Sequence, residues 1–307
     1  MTEGAGAPVV GSYSSRALTD TTCVLLWAER ERLVAHLRPI GLELQPVRDV
    51  SRALHPIWLD LGQIKLGAGE ALDLDQHAWW RRTGDLAGSA LGLFAGGMRG
   101  AERGRAVASD LAERFSRSLS RSLGTYREII VAVPNVTTRR GSATYAFVLN
   151  MLTDSPIALW GDRALGYGYG KRLCELTTAR FTRYSGRFPL GEHLFDASVS
   201  RDAASEWAPI DELSDARPLL ELLSQPLLGT IGADRFAVSR LDRDYAVQAL
   251  AAPHAVDIRV APELTRGLVA GRFHVSAVSS RTPWGALCVA DLPTRVSYPE
   301  QRRGAQL

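Results

Sequence analysis

Apolar positions in the second half of the chain come in short runs of β-type composition. Residues 128–133 (EIIVAV), 144–152, 175–184, 235–238, 245–250, 256–260, 273–278 and 287–290 each have the length and the Val, Ile, Phe and Tyr content of a strand. Pro and Gly separate many of them, which predicts short strands joined by turns. Upstream, residues 22–27 and 56–64 (PIWLDLGQI) predict two further strands. Residues 28–38 predict a short helix, with Leu33, Val34 and Leu37 on one face and Pro39 ending it. Residues 213–223, with leucines at 219, 220, 222 and 223, predict a second helix. Residues 1–20 are small and polar and read as a loose lead-in.

Residues 70–123 follow another rhythm. Glycines stand at 84, 88, 92, 96, 100 and 104, a four-residue spacing that on a helix gathers them near one face. Each interior glycine weakens a helix by about 1 kcal/mol, so a Gly-interrupted helix or a loop fits equally. Val107, Leu111, Phe115 and Leu119 form a clearer apolar stripe on the segment 106–123. The pattern predicts one domain over residues 1–307 with a helical insertion at about 66–123. Many strands with few crossover helices predict an α+β fold, a mostly antiparallel β barrel or cone with a few helices.

Composition changes this picture little. The 307 residues are 46% hydrophobic and 22% charged, with a net charge of +3. Arg105, Arg114, Arg117 and Arg121 are accounted for by a solvated helix face, so no nucleic-acid partner is expected. The free thiols Cys23, Cys174 and Cys288 lack the spacing of a metal site or disulfide framework. The six histidines show no HxH or HExxH pattern, and no GxxxxGK[ST] phosphate loop occurs; neither metal nor organic cofactor is expected. Residues 1–10 lack a signal-peptide pattern, and the apolar run 86–98 is short of the roughly 20 residues that span a bilayer. A soluble, cytoplasmic protein without a membrane partner is the expectation.

One compositional bias carries chemistry. Of 36 Lys and Arg residues, only Lys65 and Lys171 are lysines. Arginine serves most surface roles that lysine serves, but it does not lose its proton and attack a carbonyl. Lys171 lies in residues 161–173, GDRALGYGYGKRL, crowded by glycines and tyrosines and followed by Arg172. A free lysine with a pKa near 10.4 is neutral in roughly less than one part in a thousand at pH 7. Burial and a fixed neighbouring cation both raise that fraction. A solvated Lys-Arg pair at a strand start is the plain alternative.

The segment from Tyr126 to Leu173 resembles the core of the acetoacetate decarboxylase family. The motifs stand here as Tyr126-Arg127-Glu128 opening a strand that reaches Pro134, then a strand over 144–152, the acidic turn Asp154, Pro156 and Gly161. Tyr169-Gly170-Lys171-Arg172 closes the series, with Gly170 and Arg172 in place of the family's proline and second lysine. The resemblance implies the family's fold, a homo-oligomer, and a specific site. Lys171 would form a Schiff base with a small keto acid, Arg172 would be the cation that holds its pKa down, and Glu128 would move protons. Tyr126, Tyr167 and Tyr169 would line the substrate pocket. Arg16 is the nearest candidate for the family's N-terminal arginine.

The implied function is that of a Schiff-base-forming lyase. It would decarboxylate a 3-keto acid or carry out aldol or dehydration chemistry on a 2-keto acid. A role in specialised metabolism fits the insertion. Two alternatives remain open in the sequence: a barrel that binds a hydrophobic metabolite without a covalent bond, and a cyclase without imine chemistry.

Overall fold

The computed structural model describes residues 13–65, 124–139, 141, 143–189, 191–200, 207–232, 235–243, 249–297, 299–304 and 307. The expected helical insertion at about 66–123 lies outside the described residues. So does most of the strand expected at 245–250.

Two β-sheets pack face to face. Among the described residues the larger holds thirteen strands, and its centre is β1 (Tyr13–Glu29), β3 (Leu54–Lys65), β4 (Thr125–Thr138) and β5 (Tyr145–Thr153), each antiparallel to the next. The short β2 (Leu42–Leu44) pairs with β4, and β6 (Arg172–Leu173) runs parallel to the end of β5. The smaller sheet starts with β7 (Glu175–Ala179), β8 (Arg183–Arg187) and β9 (His193–Ser200). The chain then returns to the large sheet for β10 (Ala208–Pro209), β11 (Leu227–Thr230), β12 (Arg235–Ser239), β13 (Leu241–Arg243) and β14 (Leu250–Pro253). It completes the small sheet with β15 (Ala255–Val260) and β16 (Gly271–Val275), then ends in the large one with β17 (Leu287–Ser297) and β18 (Glu300–Arg303). Pairing is antiparallel except where β5 meets β6 and β11. The large sheet forms an open path from β10 to β18 among the described residues, so the expected barrel closure does not occur there.

The core has two sides because the large sheet is covered on both. Ile57, Leu59 and Leu61 of β3 and Ile129, Val131 and Val133 of β4 face the small sheet, where Leu176, Phe195, Val256 and Ile258 meet them. The alternate residues Trp58, Ile130 and Ala132 face the other way, with Cys23, Leu25 and Met151. Burial on both faces explains why β3 and β4 read as continuous apolar runs rather than alternating ones. Each fully buried Leu or Ile stabilises the fold by roughly 1.5–3 kcal/mol.

Helix α1 (Arg30–Leu37) buries Leu33 and Leu37, as its spacing predicts, and a 3-10 turn containing Pro39 follows it. Helix α2 (Pro156–Leu165) has no counterpart in the sequence expectations. Ser155 caps it by accepting from the Ala158 N–H at 3.2 Å, and Gly166, at φ +73°, ends it in the left-handed region. The helix expected at 213–223 is one 3-10 turn (Ser214–Ala216) followed by α3 (Arg217–Leu223). Pro218 stands in the first turn of α3, where its missing N–H costs nothing. The single strand expected at 175–184 is a hairpin. Phe181 takes a left-handed φ of +54°, and Thr182 N–H closes the turn on the Ala179 carbonyl at 2.9 Å. Aromatic and β-branched content there hid the turn.

Candidate active site

The face of the large sheet that carries Trp58 and Ile130 also carries the charged groups. Register places Gly62 opposite Glu128 and Asp60 opposite Ile130, so Tyr126, Glu128 and Asp60 share that face. Glu128 thus stands near the start of a buried strand, and Gly62 leaves room beside it: a Cβ on Gly62 would lie 3.1 Å from the Glu128 carbonyl oxygen.

Lys171 arrives through the loop after α2, 43 residues further along the chain. The Asp154 carboxylate accepts from the Arg127 N–H and from its guanidinium, both at 2.8 Å, tying the turn before α2 to the start of β4. Beyond α2 the backbone turns left-handed at Gly166, Gly168 and Gly170. Gly168 is required twice over, by its φ of +68° and because a Cβ would fall 2.8 Å from the Thr230 carbonyl oxygen. Gly229 makes the same allowance from the β11 side, since a Cβ there would meet the Tyr167 carbonyl oxygen at 2.3 Å. The glycine-rich loop therefore lies backbone against backbone on β11.

This path delivers Lys171 to Glu128. Nζ donates to Oε2 at 2.6 Å, and the two side chains are only 10% and 11% exposed. A charge-assisted hydrogen bond of that length, 43 residues apart in sequence, fixes both groups in one orientation. The Tyr167 and Tyr169 rings stack 5.4 Å apart and are buried beside them. Their hydroxyls are engaged by the protein. Tyr167 donates to the Ser297 carbonyl at 3.0 Å, and Tyr169 makes a short hydrogen bond to Ser239. Burial pushes the Tyr169 phenol well up from its usual value, partly offset by Ser239. Tyr126, half-buried two residues before Glu128, is also pushed well up by burial, with the Glu128 charge adding to the effect.

Arg172 packs against an aromatic ring. Its guanidinium lies 4.0 Å over the Phe188 ring on the exposed side of β6. Its charge reaches Arg266, whose own guanidinium is lowered first by burial and then by Arg172. The structure thus brings Lys171, Glu128, Tyr126, Tyr167 and Tyr169 to one place, while the exposed Arg172 guanidinium packs over Phe188. The side chain of Arg16 lies outside the described residues.

Three site residues carried no sequence signal that singled them out. Asp162, on α2, is 6% exposed, and the Lys171 and Glu128 charges both act on it. Asp60 and Arg243 form a buried ion pair on the same face, with Thr21 donating to the Asp60 carboxylate and Arg243 lying 5.9 Å from the centre of the Trp58 ring. A cleft of about 320 Å³ opens against Arg243, between Ser224, Leu241, Asp242, Pro293 and Arg295; Lys171 and Glu128 are not in its wall. Asp162 is legible in hindsight as the carboxylate nine residues before Lys171. Arg243 is one of many arginines, and only the pairing of β13 with β17 places it.

Among the described residues, no helix is long and apolar enough to cross a membrane, and no three His, Cys, Asp or Glu side chains gather as a metal site.

Fold and site together define an α+β protein with a buried lysine–carboxylate pair on one face of its larger sheet. No protein-family model matches the chain, and no curated protein matches it. Among solved structures, the chain is similar to the enduracididine biosynthesis enzyme MppR, complexed with the condensation product of pyruvate and imidazole 4-carboxaldehyde. The two are 12% identical, the match covers 94% of this chain and 89% of the other, and the TM-score is 0.49. It is similar to acetoacetate decarboxylase at 10% identity, over 95% and 90% of the two chains, with a TM-score of 0.48. An acetoacetate decarboxylase-like enzyme from Sphingomonas wittichii RW1 matches at 13% identity, over 95% and 94%, with a TM-score of 0.46.

Proposed function

We propose that this protein is a Schiff-base-forming lyase of the acetoacetate decarboxylase type, acting on a small keto acid through Lys171. The observation that carries this reading is the 2.6 Å contact between the nearly buried Lys171 and Glu128 side chains. Glu128 takes the ammonium proton, and the neutral amine adds to the substrate carbonyl. Loss of water gives an iminium that withdraws electrons from the adjacent carbon. A 3-keto acid then loses carbon dioxide, or a 2-keto acid loses a proton for aldol or dehydration chemistry. Glu128 returns the proton to the enamine. Tyr126, Tyr167 and Tyr169 line the reacting centre. Arg172 supplies a fixed positive charge next in sequence to Lys171. Cytoplasmic location and a homo-oligomeric assembly belong to the same reading.

Incubation with pyruvate or acetoacetate, followed by borohydride reduction and intact-mass measurement, tests it. The wild-type chain is expected to gain one reduced adduct and Lys171→Ala none. Trapping that persists at another residue refutes the assignment of Lys171. Ligand binding without an adduct supports the non-covalent alternative. Carbon dioxide release from acetoacetate then separates decarboxylation from aldol chemistry.

A further inference from the structure

The imine chemistry proposed for Lys171 needs two proton transfers of opposite sense. The ammonium must give up a proton before it attacks, and the departing oxygen must receive one as the carbinolamine collapses. Glu128, bound to the ammonium at 2.6 Å, is placed for the first. We propose that Asp162 is the acid for the second, a separate carboxyl that protonates the leaving oxygen. This inference rests on the Lys171 reading above.

The geometry supporting it is local. Asp162 lies on α2, and the loop that delivers Lys171 folds back over it: Gly166 and Tyr167 N–H groups donate to the Asp162 carbonyl at 3.1 and 3.2 Å. The Lys171 backbone N–H reaches its carboxyl group. The side chain is buried, and Oδ1 has no hydrogen-bond partner among the described residues. A buried carboxylate oxygen left without a donor is costly, whereas a protonated carboxyl tolerates the site and has a proton to give. The ionisable and charged groups acting on it are Lys171, Glu128 and Arg163, with Tyr169 close by. Burial pushes the Asp162 carboxyl up to about 6, with Glu128 adding to the rise and Lys171 and Arg163 opposing it. Two carboxyls in unlike surroundings divide naturally into one base and one acid.

The step balances. Lysine ammonium, Glu128 carboxylate and Asp162 acid meet a ketone. The C–N bond forms from the amine lone pair, and the carbonyl π pair moves to oxygen, which takes a proton from the nitrogen. The C–O bond then breaks, its electron pair leaves on oxygen, and Asp162 protonates it to water. Iminium, Glu128 acid, Asp162 carboxylate and one water remain, and the new Asp162 charge faces the new cation.

The test is time-resolved trapping with pyruvate between pH 5 and 8, quenched with borohydride and read by intact mass. Asp162→Asn is expected to reach the wild-type adduct level at long times but to form it at least tenfold more slowly at pH 6. Asp162→Glu is expected to recover part of that rate. Equal rates in wild type and Asp162→Asn across the pH range overturn the role of Asp162 and leave Lys171 standing. Absence of any adduct in the wild type overturns the Lys171 reading, and this inference with it. The ratio of the wild-type rate to the Asp162→Asn rate is expected to shrink as pH rises above about 6, and a ratio that grows from pH 5 to 8 overturns the proposal.

Discussion

The two lysines of this chain are both ion-paired, but to different numbers of carboxylates. Lys65, at the end of β3, is 30% exposed and contacts two carboxylates, Asp20 at 2.6 Å and Asp291 at 2.9 Å. Arg180 joins the same pair of aspartates at 2.6 and 3.3 Å, so the cluster holds two cations and two anions that link β1, β3, β17 and the β7–β8 turn. Burial pulls the Lys65 ammonium down, but the hydrogen bonds and charges of Asp20 and Asp291 outweigh it, and the net shift is upward. Such a lysine is held as a cation and is useless as a nucleophile. Lys171 has one carboxylate in contact, less water, and aromatic rings alongside. On the reading proposed above, the two lysines differ in the number of carboxylates that hold them, two for Lys65 and one for Lys171.

Glu128→Gln should affect the Lys171 side most. It keeps the shape and a hydrogen-bond acceptor but removes the base. The rate of imine formation is expected to drop by roughly 100-fold to 10,000-fold, the usual contribution of a positioned general base. Trapping kinetics at neutral pH measure it. A change smaller than threefold would make Glu128 a mere counter-ion, no different from Asp20 beside Lys65.

Much of this contrast was legible in the sequence, and the reasons differ by residue. The scarcity of lysine pointed to both positions, and the Tyr126–Glu128 and Tyr169–Arg172 patterns pointed to one. The pairing of Lys171 with Glu128 was implied only by the family resemblance. The packing of Arg172 over Phe188 was not, because adjacent side chains in an extended segment diverge and only the fold shows which one faces inward. Asp162 was hidden because α2 was hidden: Pro156, Gly161 and a run of only ten residues give weak periodicity. Asp60 and Arg243 are 183 residues apart, and no local pattern joins them. The strands β3, β4 and β5 were readable because they are buried on both sides, whereas the first half of β1, from Tyr13, falls in residues that read as a loose lead-in because they are small and polar. The hairpin at 179–183 was not, since its turn depends on a left-handed Phe181 and on Arg180 reaching Asp20.

The aspartates beside the two lysines sharpen the comparison through pH. Asp162 is raised from 3.8 to about 6 in the folded state. Between those values the native chain keeps a proton that the unfolded chain releases, so stability falls as pH rises through this window and the loss is complete above about 6. The full effect is on the order of 3 kcal/mol. Asp291 behaves the other way. Its hydrogen bond from Lys65 holds it below the usual carboxylate range, so its contribution is present above the unfolded value and is lost as pH falls through the folded one. Urea unfolding of Asp162→Asn is expected to show a gain over wild type at pH 7 that vanishes near pH 4. An equal gain at both values would mean that Asp162 does not hold its proton in the native state.

Lys65→Arg is the smallest expected effect and the most direct challenge to the contrast. Arginine keeps the positive charge and can still reach both Asp20 and Asp291, and the chain already uses Arg180 for that purpose. Lys65 and Asp291 are substantially exposed, so solvent and salt screen much of the interaction. The stability change is expected within about 1 kcal/mol, with adduct formation on pyruvate unaltered. The same replacement at Lys171 preserves a cation for Glu128 yet removes the nucleophile, so it is expected to fold and to trap nothing. If Lys65→Arg also abolished trapping, the charge cluster would be part of the reacting site, and carboxylate count would no longer separate the two lysines.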